Sequence, residues 1–113
     1  MKAYRELLMG LLVFPAALMA ANPGEHHPGY KLFKAYCWGC HHQTAEAFGP
    51  SFRTIADHRS RALIIAQIAD PEHTYKKLGY TRNSMPAFDD LNATQLETLA
   101  DFIMLFKDKK DAQ

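Results

Sequence analysis

Cysteine is scarce: the 113 residues hold two, Cys37 and Cys40, and that scarcity narrows the chemistry. A structural zinc site takes four Cys or His ligands. Here it would have to recruit two of His26, His27, His41, His42, His58 and His73, at no recognised zinc spacing. No strand alternation persists long enough to suggest a sheet, so a thioredoxin-like Cys-x-x-Cys pair would lack its βαβ setting. A structural disulfide between the two would close only a short loop and gain little chain entropy. Charge of one sign is also lacking: 13 Lys and Arg face 12 Asp and Glu, for a formal net charge of +1. Nothing in that balance suggests a nucleic-acid surface. There is no internal repeat and no phosphate-binding glycine loop. The apolar run Leu7–Met19 is broken by Gly10 and Pro15 and falls short of the roughly twenty residues that a transmembrane helix needs.

That run reads instead as export machinery. Lys2 and Arg5 precede it and Ala20-Ala21 follow it, the layout of a secretory signal. Residues 1–20 are therefore expected to be a signal peptide. An uncleaved membrane anchor is the alternative, because cleavage after Ala20 would place the large Leu18 at the minus-three position. No cysteine follows the run, which argues against a lipoprotein anchor. Loss of Lys2, Arg5 and Glu6 would leave acidic and basic side chains in equal number. The remainder is one small domain, which buries proportionally little surface and is marginal alone.

What the chain does have is concentrated in Cys37-Trp38-Gly39-Cys40-His41. Two thiols three residues apart, with an imidazole directly after the second, make the spacing that attaches haem c: each sulfur can bond a vinyl group, and the histidine can ligate the iron. Positions i, i+3 and i+4 of a helix share one face, so all three side chains can address one flat ligand.

At these residues the sequence resembles the class I cytochrome c family, and the likeness extends over roughly Gly29 to Lys107. It implies an all-α fold of three to five helices wrapped around one covalently attached haem c, here over residues 29–107. Residues 21–28 would be a flexible lead-in, holding His26 and His27 as a solvated pair, and residues 108–113 a charged tail. In the family the N-terminal helix crosses the C-terminal one at a small residue beside an aromatic, positions matched by Gly29 and Phe33. The resemblance also assigns Pro50 a role: its carbonyl would accept a hydrogen bond from the second nitrogen of His41, fixing the ring. Pro50 reads equally well as the first residue of a short helix through Asp57.

Ser60 is a natural N-cap for a helix over Arg61–Ala69, with Leu63, Ile64, Ile65 and Ile68 as its apolar set and Pro71 as its stop. From Pro71 to Asp90 no helical or strand period is visible, and a loop that long in a small domain needs a task. A haem supplies one. Asn83-Ser84-Met85-Pro86-Ala87-Phe88 resembles the segment that brings the family's methionine to the iron, so Met85 is the expected second axial ligand; core packing is its alternative. Met104, His58 and His73 are the rival iron ligands, but Met104 reads as helix core and the two histidines as solvated loop residues. Arg53, Arg59 and Arg61 are candidates for the haem propionates.

Asn92 with Gln95 reads as a capping box and Leu91 with Leu96 as a hydrophobic staple. The helix they open carries Leu96, Leu99, Ala100 and Ile103, expected to pack on Gly29 and Phe33. Phe102, Leu105 and Phe106 widen its apolar arc toward the haem or a partner. With His41 and Met85 as axial ligands and Cys37 and Cys40 as thioethers, the iron would have no vacant position, and no residue is expected to be catalytic. The resemblance then implies a periplasmic carrier of single electrons that meets redox proteins by weak, transient docking and touches a membrane only through an uncleaved signal segment or a membrane-bound partner. Lys31, Lys34, Lys76, Lys77 and Arg82 are candidates for a basic docking rim. The alternatives are a haem c subunit of a specific enzyme complex, or a haem enzyme or gas sensor if Met85 does not stay on the iron.

Overall fold

The computed structural model describes residues 23–108, so the expected signal peptide and most of the charged tail lie outside the described residues. Within them the chain forms five α-helices and no strand, at the upper end of the expected range. Helix α1 (Gly29–Leu32) runs without interruption into a π-helical turn over Phe33–Cys37. Helix α2 spans Phe52–His58, α3 Arg61–Ala69, α4 Pro71–Thr74 with a 3-10 turn Tyr75–Leu78 behind it, and α5 Ala93–Met104.

The helix starts follow from short polar side chains that satisfy otherwise unpaired N–H groups. Ser51 Oγ accepts from Thr54 N–H at 3.1 Å and Ser60 Oγ from Leu63 N–H at 3.2 Å, opening α2 and α3. At α5, Asn92 Oδ1 accepts from Gln95 N–H while Gln95 Oε1 accepts from Asn92 N–H, so the expected capping box is complete. Pro50 precedes the Ser51 cap and is not the first helical residue. Helix α3 ends at Ala69, ahead of Pro71 as expected, and Pro71 also begins α4: it stands at the first position, where a missing N–H costs nothing. The part of 71–90 nearest Pro71 is thus helical, too short for a period to show. Gly79, at φ 90°, ends the 3-10 turn in a left-handed conformation that a side chain would strain.

Helix α5 packs against α1, α2 and α3 and is the spine of the domain. Its closest approach is to α1: a Cβ on Gly29 would lie 2.5 Å from Phe102 Cβ and 2.9 Å from the Thr98 carbonyl oxygen, so only glycine permits this crossing. At Gly29 itself the α5 residues met are Phe102 and Thr98, while of the expected set Leu99, Ala100 and Ile103 share the buried core with Phe33. Phe102 stacks on Phe33 at 5.3 Å and touches Phe52 and Phe106 edge-on, and this aromatic cluster fills the core between α1, α2 and α5. Leu105 stays exposed. Arg61 ties α3 to α5 through Glu97 and, at 2.9 Å, Asp101; at the surface such pairs are worth little.

The segment before α1 is more ordered than a flexible lead-in. His27 N–H donates to the Gly24 carbonyl at 2.9 Å, and Gly24 sits against Phe102 and Phe106. His26 is exposed, but His27 is half-buried 5.7 Å from the Phe102 ring, with Nδ1 accepting the Gly29 N–H at 2.9 Å. It is a helix-start acceptor, not a solvated residue. Among the described residues no helix is long and apolar enough to cross a membrane.

Candidate functional site

The π-helical turn decides where the two thiols go. Trp38 N–H reaches back five residues to the Phe33 carbonyl at 2.9 Å, widening the helix by one residue at its end. Helical structure stops at Cys37, so Cys37, Cys40 and His41 do not lie on one continuous helix. They nevertheless stay together, because the Cys37 carbonyl accepts from both Cys40 N–H at 3.1 Å and His41 N–H at 2.9 Å, closing one further turn. No disulfide joins the two cysteines; Cys37 is buried and Cys40 exposed. Burial, and then the neighbouring Cys40, push the Cys37 thiol up to about 12, so it stays protonated at neutral pH.

Residues 41–51 fold back over the histidine. The Gly49 N–H donates to the Cys40 carbonyl at 2.7 Å, and His41 Nδ1 donates to the Pro50 carbonyl at 2.7 Å. A carbonyl can only accept, so Nδ1 carries a proton, and in the neutral tautomer the lone pair is then on Nε2. The ring is held on its faces as well. Phe52 stacks on it at 5.7 Å, and a Cβ on Gly49 would stand 2.5 Å from its Cε1 atom. Glu46 fastens the loop from outside, accepting from Ser51 N–H at 2.9 Å and from Thr54 Oγ at 2.6 Å; these bonds, Thr54 foremost, hold its carboxyl below the usual value.

The second strand of the site comes from the 71–90 region. Met85 is held by its neighbour: Asn83 Oδ1 accepts from Met85 N–H at 3.1 Å and Asn83 Nδ2 donates to the Met85 carbonyl at 2.9 Å, with Glu72 also accepting from that amide. Gln67, on α3, donates from Nε2 to Met85 Sδ at 3.7 Å. Phe88 N–H joins the segment to the Ile68 carbonyl at 3.1 Å.

Cys37, Cys40, His41, Pro50 and Met85 all line one cavity of about 360 Å³, a size found for cofactor sites. Its walls are mostly apolar, from Ile55, Leu63, Ile64, Ile68, Phe88 and Ile103, with Tyr36, Tyr75 and Tyr80 among them. His58, His73 and Met104, the rival ligands, are not in its lining. His73 pairs instead with Asp70 at 2.9 Å, and His58 Nδ1 bonds the Thr54 carbonyl. Of the three arginines considered for propionates, only Arg59 lines the cavity, joined there by Arg82, while Arg61 is engaged by Glu97 and Asp101. Among the described residues no three His, Cys, Asp or Glu side chains gather into a metal-holding group.

These residues fit a haem c. A large apolar slot, two unpaired thiols and an imidazole with a free Nε2 are what its ring, its vinyl groups and its iron require. Gln67, which lines the same cavity, has its Oε1 buried without a hydrogen-bond partner, a polar atom left unsatisfied among mostly apolar walls. Three contributors were not picked out from sequence as parts of the site. Gln67 interrupts the apolar set Leu63, Ile64 and Ile68 at helical spacing, and that polar intruder on a core face was its signal. Asn83, two residues before Met85, has the side chain and spacing of a local Asx turn. Gly49 gave no signal beyond its place before Pro50.

Comparison with curated proteins and with solved structures returned no match. Residues 24–103 match the family model described as Cytochrome C oxidase, cbb3-type, subunit III, a domain that binds haem c covalently and serves electron transfer as a carrier or enzyme subunit, not as a catalyst itself. With the helical fold and this cavity alongside that match, the chain belongs to the cbb3-type cytochrome c oxidase subunit III family, in the form of a small all-α cytochrome c domain.

Proposed function

We propose that this protein is an exported single-electron carrier whose haem c would be bonded to Cys37 and Cys40, with His41 Nε2 and Met85 Sδ as the groups that would hold its iron. The observation that carries the reading is the gathering of those four side chains on one apolar cavity, with the His41 Nδ1 proton committed to Pro50. Bound haem supplies an iron that changes oxidation state by one electron. The protein's own work is to position and to insulate. Pro50 fixes the histidine's tautomer and makes it a stronger donor. Met85 offers a soft, neutral thioether, which favours the reduced metal. The isoleucines and Phe88 exclude water, and Arg59 and Arg82 offer positive charge for the propionates. With His41 and Met85 both serving as ligands, the iron would offer no position to a substrate, which is why a carrier is favoured over an enzyme or a gas sensor.

Export to the periplasm rests on the signal-like residues 1–20 and on the site of haem attachment in bacterial relatives of this fold. Partners would be redox proteins that dock briefly. Trp38, 49% exposed between the two cysteines with Lys34 Nζ 4.2 Å from its ring centre, belongs to the surface beside the attachment site. The family match favours a second reading, in which the domain serves one terminal oxidase as a fixed subunit. An absorption spectrum tests the first claim: a weak far-red band in the ferric protein and no binding of carbon monoxide by the ferrous protein at neutral pH are expected. Rapid carbon monoxide binding would contradict it. Purification intact with an oxidase from the native membrane would move the assignment from carrier to subunit.

A further inference from the structure

We propose that Gln67 is a positioning residue for Met85 that decides which lone pair of the sulfur faces the metal; the proposal rests on Met85 being the axial ligand. A thioether sulfur carries two lone pairs. Once one is given to a metal, the sulfur becomes a stereocentre, and the two configurations place the terminal methyl on different sides. Sulfur only accepts hydrogen bonds, so the end of the Gln67 amide 3.7 Å from Met85 Sδ is the NH2 group. That N–H occupies the second lone pair and leaves one configuration favoured.

The other end of the same amide shows that packing does not explain it. Gln67 Oε1 is buried with no partner, a state that costs free energy. Its neighbours at helical spacing, Leu63, Ile64 and Ile68, line the same cavity as apolar groups. A leucine at 67 would match them and remove the orphaned oxygen. An amide is therefore out of place for the fold and in place for the sulfur. Asn83 sets the Met85 backbone through both its N–H and its carbonyl. Gln67, from a different helix, sets the side chain's end. The donated hydrogen bond also draws electron density from the sulfur, which makes it a poorer donor and favours the reduced metal.

The test uses the haem-loaded protein and its Gln67→Leu variant, with Gln67→Met as a second apolar replacement of closer shape should leucine not fold. Proton spectra of the ferric forms report the sulfur configuration through the haem methyl shifts. One set of shifts is expected for the unmodified protein. Each variant should lose a bias of about two- to tenfold, the size of one ordinary hydrogen bond, and show two exchanging configurations. Its reduction potential should fall while its melting temperature does not, a divergence that a purely structural role would not produce. If the far-red band is present and the variants keep both the single shift pattern and the potential, the Gln67 proposal is overturned and Met85 ligation stands. If the unmodified ferric protein lacks that band, Met85 ligation itself is wrong and the proposal goes with it.

Discussion

The two halves of the cavity are built differently. On the cysteine side the chain is fixed largely by its own backbone: Cys40 and His41 bond to Cys37, Gly49 to Cys40, Phe52 to His42 and Arg53 to Gln43, all within 3.1 Å. On the methionine side the backbone of 83–88 is joined to α3 by Phe88 N–H, while Met85 itself is held by side chains, Asn83 on its backbone and Gln67 on its sulfur. Main-chain bonds enforced by a tight turn survive most substitutions, whereas a hold made by two amides is lost with either. On the proposed ligation, His41 would be the permanent ligand, built in by the backbone, and Met85 the exchangeable one, held by side chains.

The largest break in that comparison should come from His41→Ala against Met85→Ala, both produced in a host that attaches haem c. His41→Ala is expected to accumulate little haem-loaded protein. Met85→Ala should keep its haem, lose the far-red band and bind carbon monoxide rapidly; equal haem content in the two would erase the asymmetry. Next is Gly49→Ala, whose Cβ would meet the clamped imidazole at 2.5 Å and cost about 1–3 kcal/mol, read by thermal or denaturant unfolding. Asn83→Ala should act on the other side without that cost: the melting temperature changes little, but added imidazole displaces Met85 at about two- to tenfold lower concentration.

The smallest effects are acid and base responses of opposite sign on the two sides. Glu46, on the cysteine side, is held below its usual 4.5 by Thr54 and Ser51, so its contribution is full above that value and disappears as pH falls through the lowered one. His73, at the head of the methionine side, is raised above its usual 6.5 by Asp70, so its contribution is full below 6.5 and disappears as pH rises through the higher value. Both groups are exposed, and solvent keeps the effects small. Unfolding followed against pH should show the acid loss vanish in Glu46→Gln and the alkaline loss vanish in His73→Gln.

The sequence was most readable where a local rule carried the information. Ser60, Asn92 and Gln95 satisfy N–H groups three residues away, so the starts of α3 and α5 are visible in a window of four residues. The thiols and imidazole are contiguous, and their cluster needed no tertiary knowledge. Readability failed where partners are remote. That Phe102 and Thr98 meet Gly29 depends on how α5 is rotated, which a periodic apolar arc of this width leaves open. The widened turn Phe33–Cys37 buries Phe33 and Cys37, and no residue within it is a helix breaker that would announce it. Gln67 and Met85 lie eighteen residues apart, and their contact exists only after α3 and the 83–88 segment share a wall.

The account stands on the covalent bond between this polypeptide and a porphyrin. Intact mass of the exported protein, from a host able to attach haem c, tests it most directly when read beside the Soret band. The chain should be heavier by one haem, with that gain abolished in a Cys37→Ala/Cys40→Ala double variant. A bare-chain mass without Soret absorption would contradict it.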